Sequence, residues 1–151
     1  MSHYVAVVGP GEPQDTRLLA LATDAGRLLA GRGWTVVTGG LGGVMAAAAS
    51  GAASVGGTTV ALLPGQDRAS ASPGHTVVIP TGLGEIRNAL LVRTADAVLA
   101  VGGSWGTLSE IALAVRTGVP VFAVAGWDLG PEVAGCASAE EAVERIARAL
   151  R

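Results

Sequence analysis

One stretch decides the fold of this chain: Val98-Leu-Ala-Val-Gly-Gly-Ser-Trp-Gly-Thr-Leu-Ser-Glu110. It predicts a buried strand, then a glycine turn, then a helix that begins directly after the turn. The backbone N–H groups and the dipole at a helix N-terminus favour an anion. Gly102, Gly103 and Gly106 allow positive φ angles and a close approach of the backbone to a ligand. We therefore predict a phosphate-binding site here, with the carboxylate of Glu110 beside it.

Two interpretations of Glu110 compete. Thr107-Leu-Ser-Glu110 has the spacing of a capping box, in which Thr107 caps the helix and Glu110 accepts the N–H of the cap residue. Ser138-Ala-Glu-Glu141 has the same spacing without a glycine turn before it, so it serves as an internal control. Glu110 is either a structural cap or a functional acid, and its glycine turn favours function.

Composition places the chain among globular proteins. It has 151 residues, enough for one domain over residues 1–151, and 50% of them are apolar while 15% are charged. The net charge is −2 without a basic cluster, so we expect no nucleic-acid partner. Cys136 stands alone, and the first residues lack the basic and apolar regions of a signal peptide. We expect a cytoplasmic protein without disulfides.

Missing residue types exclude several kinds of chemistry. All ten basic residues are arginines, and the absence of lysine excludes Schiff bases, pyridoxal phosphate anchoring and a Walker A loop. His3 and His75 have no metal-ligand spacing, so we expect both at the surface and predict no metal site. Residues 33–66 carry no charge, but glycine turns and Pro64 interrupt them, so we expect no membrane span.

Apolar runs alternate with helical patterns along the chain, which predicts a mostly parallel sheet with helices on both faces. The expected fold class is α/β, a single Rossmann-like three-layer sandwich of about six or seven strands. The predicted strands are residues 4–8, 34–38, 58–63, 76–79, 97–101 and 121–124. The predicted helices are residues 14–32, 44–55, 84–94, 107–117 and 138–150, and residues 126–135 are predicted to form a loop.

Ligands of such sheets bind outside the carboxyl ends of the strands, at the topological switch point. Three glycine turns are predicted there, at residues 9–11, 39–43 and 102–106. The dinucleotide fingerprint is a poor match, because no third glycine opens the first helix and no acidic residue is placed to hold a ribose. A mononucleotide is therefore favoured over NAD.

Three further side chains bear on the site. Arg87 is predicted in the first turn of its helix, where a cation opposes the dipole, so it is expected to face a carboxylate or a ligand phosphate. Ser104 lies in no G-x-S-x-G frame and has no evident histidine partner, which argues against a nucleophile. Trp105, inside the third turn, either stacks on a base or packs the turn down.

At these residues the chain resembles the Lonely-Guy superfamily, which was long mislabelled lysine decarboxylase and includes cytokinin riboside 5′-monophosphate phosphoribohydrolases. Residues 101–110 supply the glycines, threonine and glutamate of its signature Pro-Gly-Gly-x-Gly-Thr-x-x-Glu, with Val101 in place of the proline. A second signature is matched by Gly39-Gly-Leu-Gly-Gly-Val-Met45, and Arg87-Asn88 stands in place of a catalytic Arg-Lys segment. The resemblance covers about residues 4–125.

The resemblance implies a phosphoribohydrolase that cleaves a nucleoside 5′-monophosphate into free base and ribose 5-phosphate. Arg87 and Glu110 would be its catalytic pair, with Glu110 stabilising the oxocarbenium-like ribose or orienting water. No pyridoxal phosphate or metal is required, and the absence of lysine argues against a decarboxylase. The superfamily forms dimers, so at least a homodimer is expected.

The chain departs from the superfamily pattern at Val101 and Asn88, and it is short. In these respects it resembles a side branch that is similar to molybdenum-cofactor carrier proteins, which bind a phosphorylated pterin without turning it over. A non-catalytic carrier or sensor of a phosphorylated cofactor is therefore the alternative, with a bound nucleotide or molybdenum cofactor as its ligand. The turns and the resemblance together predict these ligand-binding residues: Gly9, Pro10, Gly39, Gly40, Gly42, Gly43, Met45, Asn88, Gly102, Gly103, Ser104, Trp105, Gly106 and Thr107.

Overall fold

A computed structural model describes residues 2–151 of the chain. In chain order the elements are β1 (Tyr4–Val8), α1 (Arg17–Gly31), β2 (Thr35–Thr38), α2 (Val44–Ala53), β3 (Thr59–Leu63), β4 (Val77–Pro80), α3 (Arg87–Thr94), β5 (Ala97–Val101), α4 (Trp105–Thr117), β6 (Val121–Val124), β7 (Val133–Cys136) and α5 (Ala139–Ala149). Short 3₁₀ turns at Arg68–Ser70 and Gly84–Ile86 complete the list.

The strands form one seven-stranded sheet in the order β4-β3-β2-β1-β5-β6-β7, and every neighbouring pair is parallel. The predicted α/β fold with a parallel sheet is confirmed. The chain moves outward from β1 in one direction as far as β4, then returns to place β5 on the other side of β1. The switch point therefore lies between β1 and β5, where Val8 pairs with Ala100 at the carboxyl ends.

Helices cover both faces of the sheet. One core joins the sheet to α1, α2 and α5 through side chains such as Leu29, Val44 and Ile146. The other core joins the opposite face to α3 and α4 through Leu91 and Ile111. Apolar side chains on both faces of each central strand are thereby buried, which explains why the strands are continuous apolar runs rather than alternating ones.

The alanine-rich α2 packs tightly against α1. A Cβ atom added to Gly26 would lie 1.9 Å from the carbonyl oxygen of Ala48, and one added to Gly51 would lie 2.0 Å from that of Thr23. The two helix backbones therefore touch at positions where only glycine fits.

One strand was missed in the prediction. Residues 126–135 were expected to form a loop, but Val133–Cys136 form β7 at the edge of the sheet, paired with β6. Its pattern is weak because it has four residues including a glycine, of which only Val133 is fully buried. No helix in the described residues is long and apolar enough to cross a membrane.

Substitution of Gly26 tests the close packing of α1 against α2. We expect Gly26→Ala to lower the free energy of unfolding by about 1–3 kcal/mol, because the backbone of Ala48 has to move. Gly31→Ala in the same helix is the matched control, since a Cβ there meets nothing within 4 Å; it should raise stability by less than about 1 kcal/mol. Denaturant unfolding of both variants measures the difference, and equal stabilities would contradict the packing.

Candidate functional site

A cleft of about 270 Å³ opens at the carboxyl ends of β1 and β5. Residues from the three predicted glycine turns line it, together with the first turn of α3 and the first two turns of α4. The lining residues are Val8, Gly9, Gly11, Leu41, Met45, Arg87, Asn88, Ser104, Gly106, Thr107 and Glu110. The three turns, far apart in sequence, thus meet at one place.

The turns approach each other more closely than side chains permit. A Cβ on Gly9 would lie 2.4 Å from the carbonyl oxygen of Val101, and one on Gly43 would lie 2.4 Å from that of Pro10. The Val44 amide donates to the Pro10 carbonyl at 3.0 Å, so this amide is not free for a ligand. Several glycines of these turns therefore serve loop-to-loop packing, and Gly43 additionally requires a positive φ of 60°.

The helix α4 begins earlier than predicted, at Trp105 rather than Thr107. Ser104 is extended, and its hydroxyl accepts the Thr107 amide at 3.2 Å, while the Leu108 amide donates to the Ser104 carbonyl at 2.8 Å. Ser104 is therefore the cap, and the prediction that Thr107 caps this helix is wrong. The amides of Trp105 and Gly106 have no protein acceptor within the described part of the chain.

This loop also has two residues, Ser104 and Trp105, where the superfamily signature has one. The additional residue allows a serine to cap the helix and puts Gly106 inside its first turn. Of the three glycines expected to take positive φ, only Gly102 does so, at 71°. Gly103 is instead required by packing, because its Cβ would lie 2.9 Å from the Trp127 ring.

Glu110 does not take part in capping α4. It lies in the second turn of α4, away from the cap, whereas Glu141 behaves as the control predicted. The Glu141 amide donates to the Ser138 hydroxyl at 3.1 Å, and its carboxylate accepts the Ala137 amide at 2.8 Å. At residues 138–141 the serine half of the capping box is confirmed, while the Glu141 carboxylate accepts the amide of Ala137, one residue before the cap. At residues 107–110 the capping-box interpretation is wrong.

Arg87 is the first residue of α3, and it lines the cleft. Its guanidinium donates to the Gly39 carbonyl at 3.3 Å and to the side-chain oxygen of Asn88, while its Nε is buried without a partner. Arg87 and Glu110 are each only 8% exposed. No nitrogen of Arg87 lies within 4.0 Å of a Glu110 oxygen in the described structure, so the two charges flank a space instead of forming a salt bridge.

Burial shifts both groups toward their neutral forms. It raises the pKa of Glu110 to about 7, and the positive charge of Arg87 opposes this shift. Burial lowers the pKa of Arg87, and the charge of Glu110 opposes it. The carboxyl group therefore exchanges its proton near neutral pH, as a general acid or a proton-linked binding site requires.

Some predicted ligand-binding residues lie behind the cleft instead of lining it. Gly40 is buried, with a positive φ of 81°, and a Cβ there would lie 2.7 Å from Leu63. Gly39 lies directly behind Arg87, since its Cβ would lie 2.6 Å from a guanidinium nitrogen and 2.8 Å from the Met45 sulfur. The others that do not line the cleft are Pro10, Gly42, Gly43, Gly102, Gly103 and Trp105.

Trp105 does not pack the turn down. Its side chain is 81% exposed and makes an edge-on contact with Trp127, with ring centroids 5.5 Å apart. Trp127 is the residue that covers Gly103. Trp105 borders a shallow depression beside the cleft, and Asn88 and Gly106 line both.

Sequence reasoning missed several residues around the cleft. Val8, Gly11 and Leu41 line it, and each stands next to or within a turn that was already predicted. His75 was expected at the surface, but it is half-buried and hydrogen-bonded to Thr38 behind the second turn. No sequence spacing links His75 to Thr38, because the contact joins segments 37 residues apart. Residues 2–151 contain no cluster of three or more potential metal-ligating side chains.

Comparison with known proteins places the chain in a family. The model of the SLOG cluster4 family matches residues 2–149. The chain belongs to this family. The predicted membership of the wider Lonely-Guy-like superfamily is confirmed, and the solved structures similar to this chain share its Rossmann-like fold.

Two kinds of relative are similar to this SLOG cluster4 protein. The molybdenum cofactor binding protein of Rippkaea orientalis is 34% identical with a TM-score of 0.94, over 100% of this chain and 99% of the other. The molybdenum cofactor carrier protein of Chlamydomonas reinhardtii is 30% identical with a TM-score of 0.89, over 99% of each chain. The cytokinin riboside 5′-monophosphate phosphoribohydrolase of Mycobacterium tuberculosis is 38% identical over 71% of this chain and 59% of its own length.

The titration of Glu110 predicts a pH-dependent stability. The folded protein holds this proton up to about pH 7, whereas the unfolded chain releases it near pH 4.5. Its contribution to the free energy of unfolding is therefore complete below pH 4.5 and is lost as the pH rises through about 7. Between pH 5 and 7.5, the wild type should lose about 2–3 kcal/mol relative to Glu110→Gln. Denaturant unfolding across this range measures the difference, and parallel pH profiles of the two proteins would contradict the raised pKa.

Proposed function

We propose that this protein binds a phosphorylated heterocyclic cofactor of the molybdenum-cofactor type and carries it without chemical change. The phosphate would occupy the cleft between the glycine turns. The observation that carries the proposal is the guanidinium of Arg87, a residue that lines this cleft and is buried. Among the described residues, its buried Nε has no hydrogen-bond partner and no carboxylate lies within salt-bridge distance of it. A buried charge of this kind is unfavourable until an anion accompanies it.

The start of α4 supplies further donors for the same anion. Gly106 lines the cleft, its amide has no acceptor among residues 2–151, and the positive end of the helix dipole lies there. Thr107 is buried at the cleft with its hydroxyl 2.9 Å from that of Ser104. A backbone amide, a hydroxyl and a guanidinium around one cavity are the donor set that a phosphate group prefers.

The raised pKa of Glu110 is compatible with carriage. With a pKa of about 7, its carboxyl group is partly protonated at neutral pH, and a phosphate nearby would favour the protonated form further. A neutral carboxyl group does not stabilise a cationic ribose. The whole-chain similarity to two molybdenum-cofactor proteins, at 30–34% identity, supports the same choice.

A phosphoribohydrolase is the second candidate. The similarity to the mycobacterial phosphoribohydrolase supports it, and so does the separation of Arg87 from Glu110, which leaves space for a substrate. A carboxyl group with a pKa near 7 is suited to protonate a departing base, with Arg87 holding the 5′-phosphate. Base release from AMP distinguishes this candidate from the carrier. The expected homo-oligomer stays a prediction for either candidate.

Arg87 provides the sharpest test of the proposed site. We expect Arg87→Met to weaken binding of molybdenum cofactor, and of AMP as a simpler phosphorylated probe, by at least about tenfold, because charged hydrogen bonds to the phosphate are lost. Arg93→Met on the same helix is the matched control, since Arg93 is exposed, and it should bind like the wild type. Isothermal titration calorimetry measures both.

Chromatography of the AMP mixtures decides between the candidates. A carrier leaves AMP intact, and Glu110→Gln then binds at least as tightly as the wild type. Release of adenine that disappears in Glu110→Gln would establish the hydrolase instead. Equal affinities of the wild type and Arg87→Met for both ligands would contradict both candidates.

A further inference from the structure

A closed ring of hydrogen bonds fastens the second glycine turn to the loop that precedes β4. The Gly40 amide donates to the Thr38 hydroxyl at 2.9 Å, and that hydroxyl lies 2.7 Å from Nε2 of His75. Nδ1 of His75 lies 3.0 Å from the Ser72 carbonyl, and the Ser72 amide donates back to the Gly40 carbonyl at 2.9 Å. The ring thus passes through two side chains and through both backbone groups of Gly40, its N–H and its C=O.

The donors and acceptors around His75 determine which of its ring nitrogens carries a proton. The Ser72 carbonyl only accepts, so Nδ1 of His75 must carry a proton. The Thr38 oxygen already accepts the Gly40 amide, and the one hydroxyl proton of Thr38 needs an acceptor because the side chain is fully buried. Unprotonated Nε2 is that acceptor. The ring is satisfied by the neutral histidine with its proton on Nδ1.

The ring reaches the cleft through the neighbouring residue. The Gly39 carbonyl accepts a hydrogen bond from Arg87, and Gly39 lies so close to the guanidinium that no side chain fits between them. The Gly39–Gly40 peptide is therefore one of the two groups that hold the guanidinium, and the side-chain oxygen of Asn88 is the other.

We propose that His75 is a positioning residue that, through Thr38, holds the Gly39–Gly40 turn and thereby sets Arg87 in the cleft. The ligand-binding consequence rests on the proposed function, whereas the structural consequence does not. Protonation of Nε2 leaves the Thr38 hydroxyl proton without an acceptor and loosens the turn, so the anchor holds only while His75 is neutral.

The surroundings of His75 keep it neutral at physiological pH. Burial lowers its pKa, and the hydrogen bond to the Ser72 carbonyl opposes the shift. The charged side chains of the adjoining segments are Asp67 and Arg68 in the same loop and Arg87 beyond Gly39, and none of them contributes to this shift.

The structural arm of the test needs no ligand. Nitrogen-15 spectra of the imidazole at pH 7 should give a protonated Nδ1 and an unprotonated Nε2 for His75. His3 is the only other histidine, so His3→Gln assigns the signals and serves as the matched control.

His75→Gln retains an acceptor for Thr38, and His75→Phe removes it. We expect hydrogen exchange of the Gly40 amide to accelerate about tenfold in His75→Phe, the equivalent of one unsatisfied buried group, and the Arg87 Nε signal to move. His75→Gln should restore both.

The binding arm uses AMP as the probe. His75→Phe should weaken AMP binding about tenfold, while His75→Gln and His3→Gln bind like the wild type. In a Glu110→Gln background, which removes the titration of Glu110, the phosphate of AMP still gains a proton near about pH 6 and weakens its own binding. AMP binding should therefore fall more steeply toward acidic pH with His75 present than after His75→Gln is added, and the difference between the two pH profiles reports the histidine. If His75→Phe does not fold, Thr38→Val removes the same bond from its other end.

The arms separate the two proposals. A proton on Nε2 at pH 7, or unchanged Gly40 exchange and Arg87 signal in His75→Phe, would overturn the positioning role. Undiminished AMP binding by His75→Phe would do so as well. If the wild type binds no phosphorylated probe but the exchange and Arg87 signals change as expected, the positioning role stands and the proposed function fails.

Discussion

The contact between the turn after β1 and the carboxyl end of β5 is the constraint on which the structure depends. A Cβ on Gly9 would lie 2.4 Å from the Val101 carbonyl oxygen and 2.6 Å from a methyl group of Val44. The end of one strand, the end of its neighbour and the start of α2 thus converge on a point with no room for a side chain. This convergence brings the three glycine turns to one edge of the sheet and leaves the cleft between them.

The cleft holds two opposite charges that do not neutralise each other directly. Arg87 and Glu110 are both buried, and burial moves the pKa of each toward its neutral form. The hydrophobic layer between the sheet and helices α3 and α4 offsets this unfavourable arrangement, since it holds the two helices in place regardless of what lies between Arg87 and Glu110. A site that is unfavourable when empty gains most when an anion enters it, because the ligand supplies the missing partner.

The two tryptophans and the histidine near the cleft lie at different glycine turns. Trp127 covers Gly103 in the third turn, while Trp105 remains exposed beside the cleft. His75 and Thr38 hold the second turn from behind. The second and third glycine turns are thus supported by side chains from outside the turns, although the turns carry few side chains themselves.

The sequence by itself determined the parallel α/β fold and the convergence of the glycine turns, because continuous apolar runs and glycine positions are local signals. It also singled out Arg87 and Glu110. It misplaced the cap of α4, since Ser104 and Thr107 are both good capping residues and only the path of the loop selects one. Tertiary structure alone decided the absence of a direct Arg87–Glu110 salt bridge, the pKa of Glu110 and the partner of His75. Those properties depend on burial and distance between segments far apart in the chain, which no local pattern encodes.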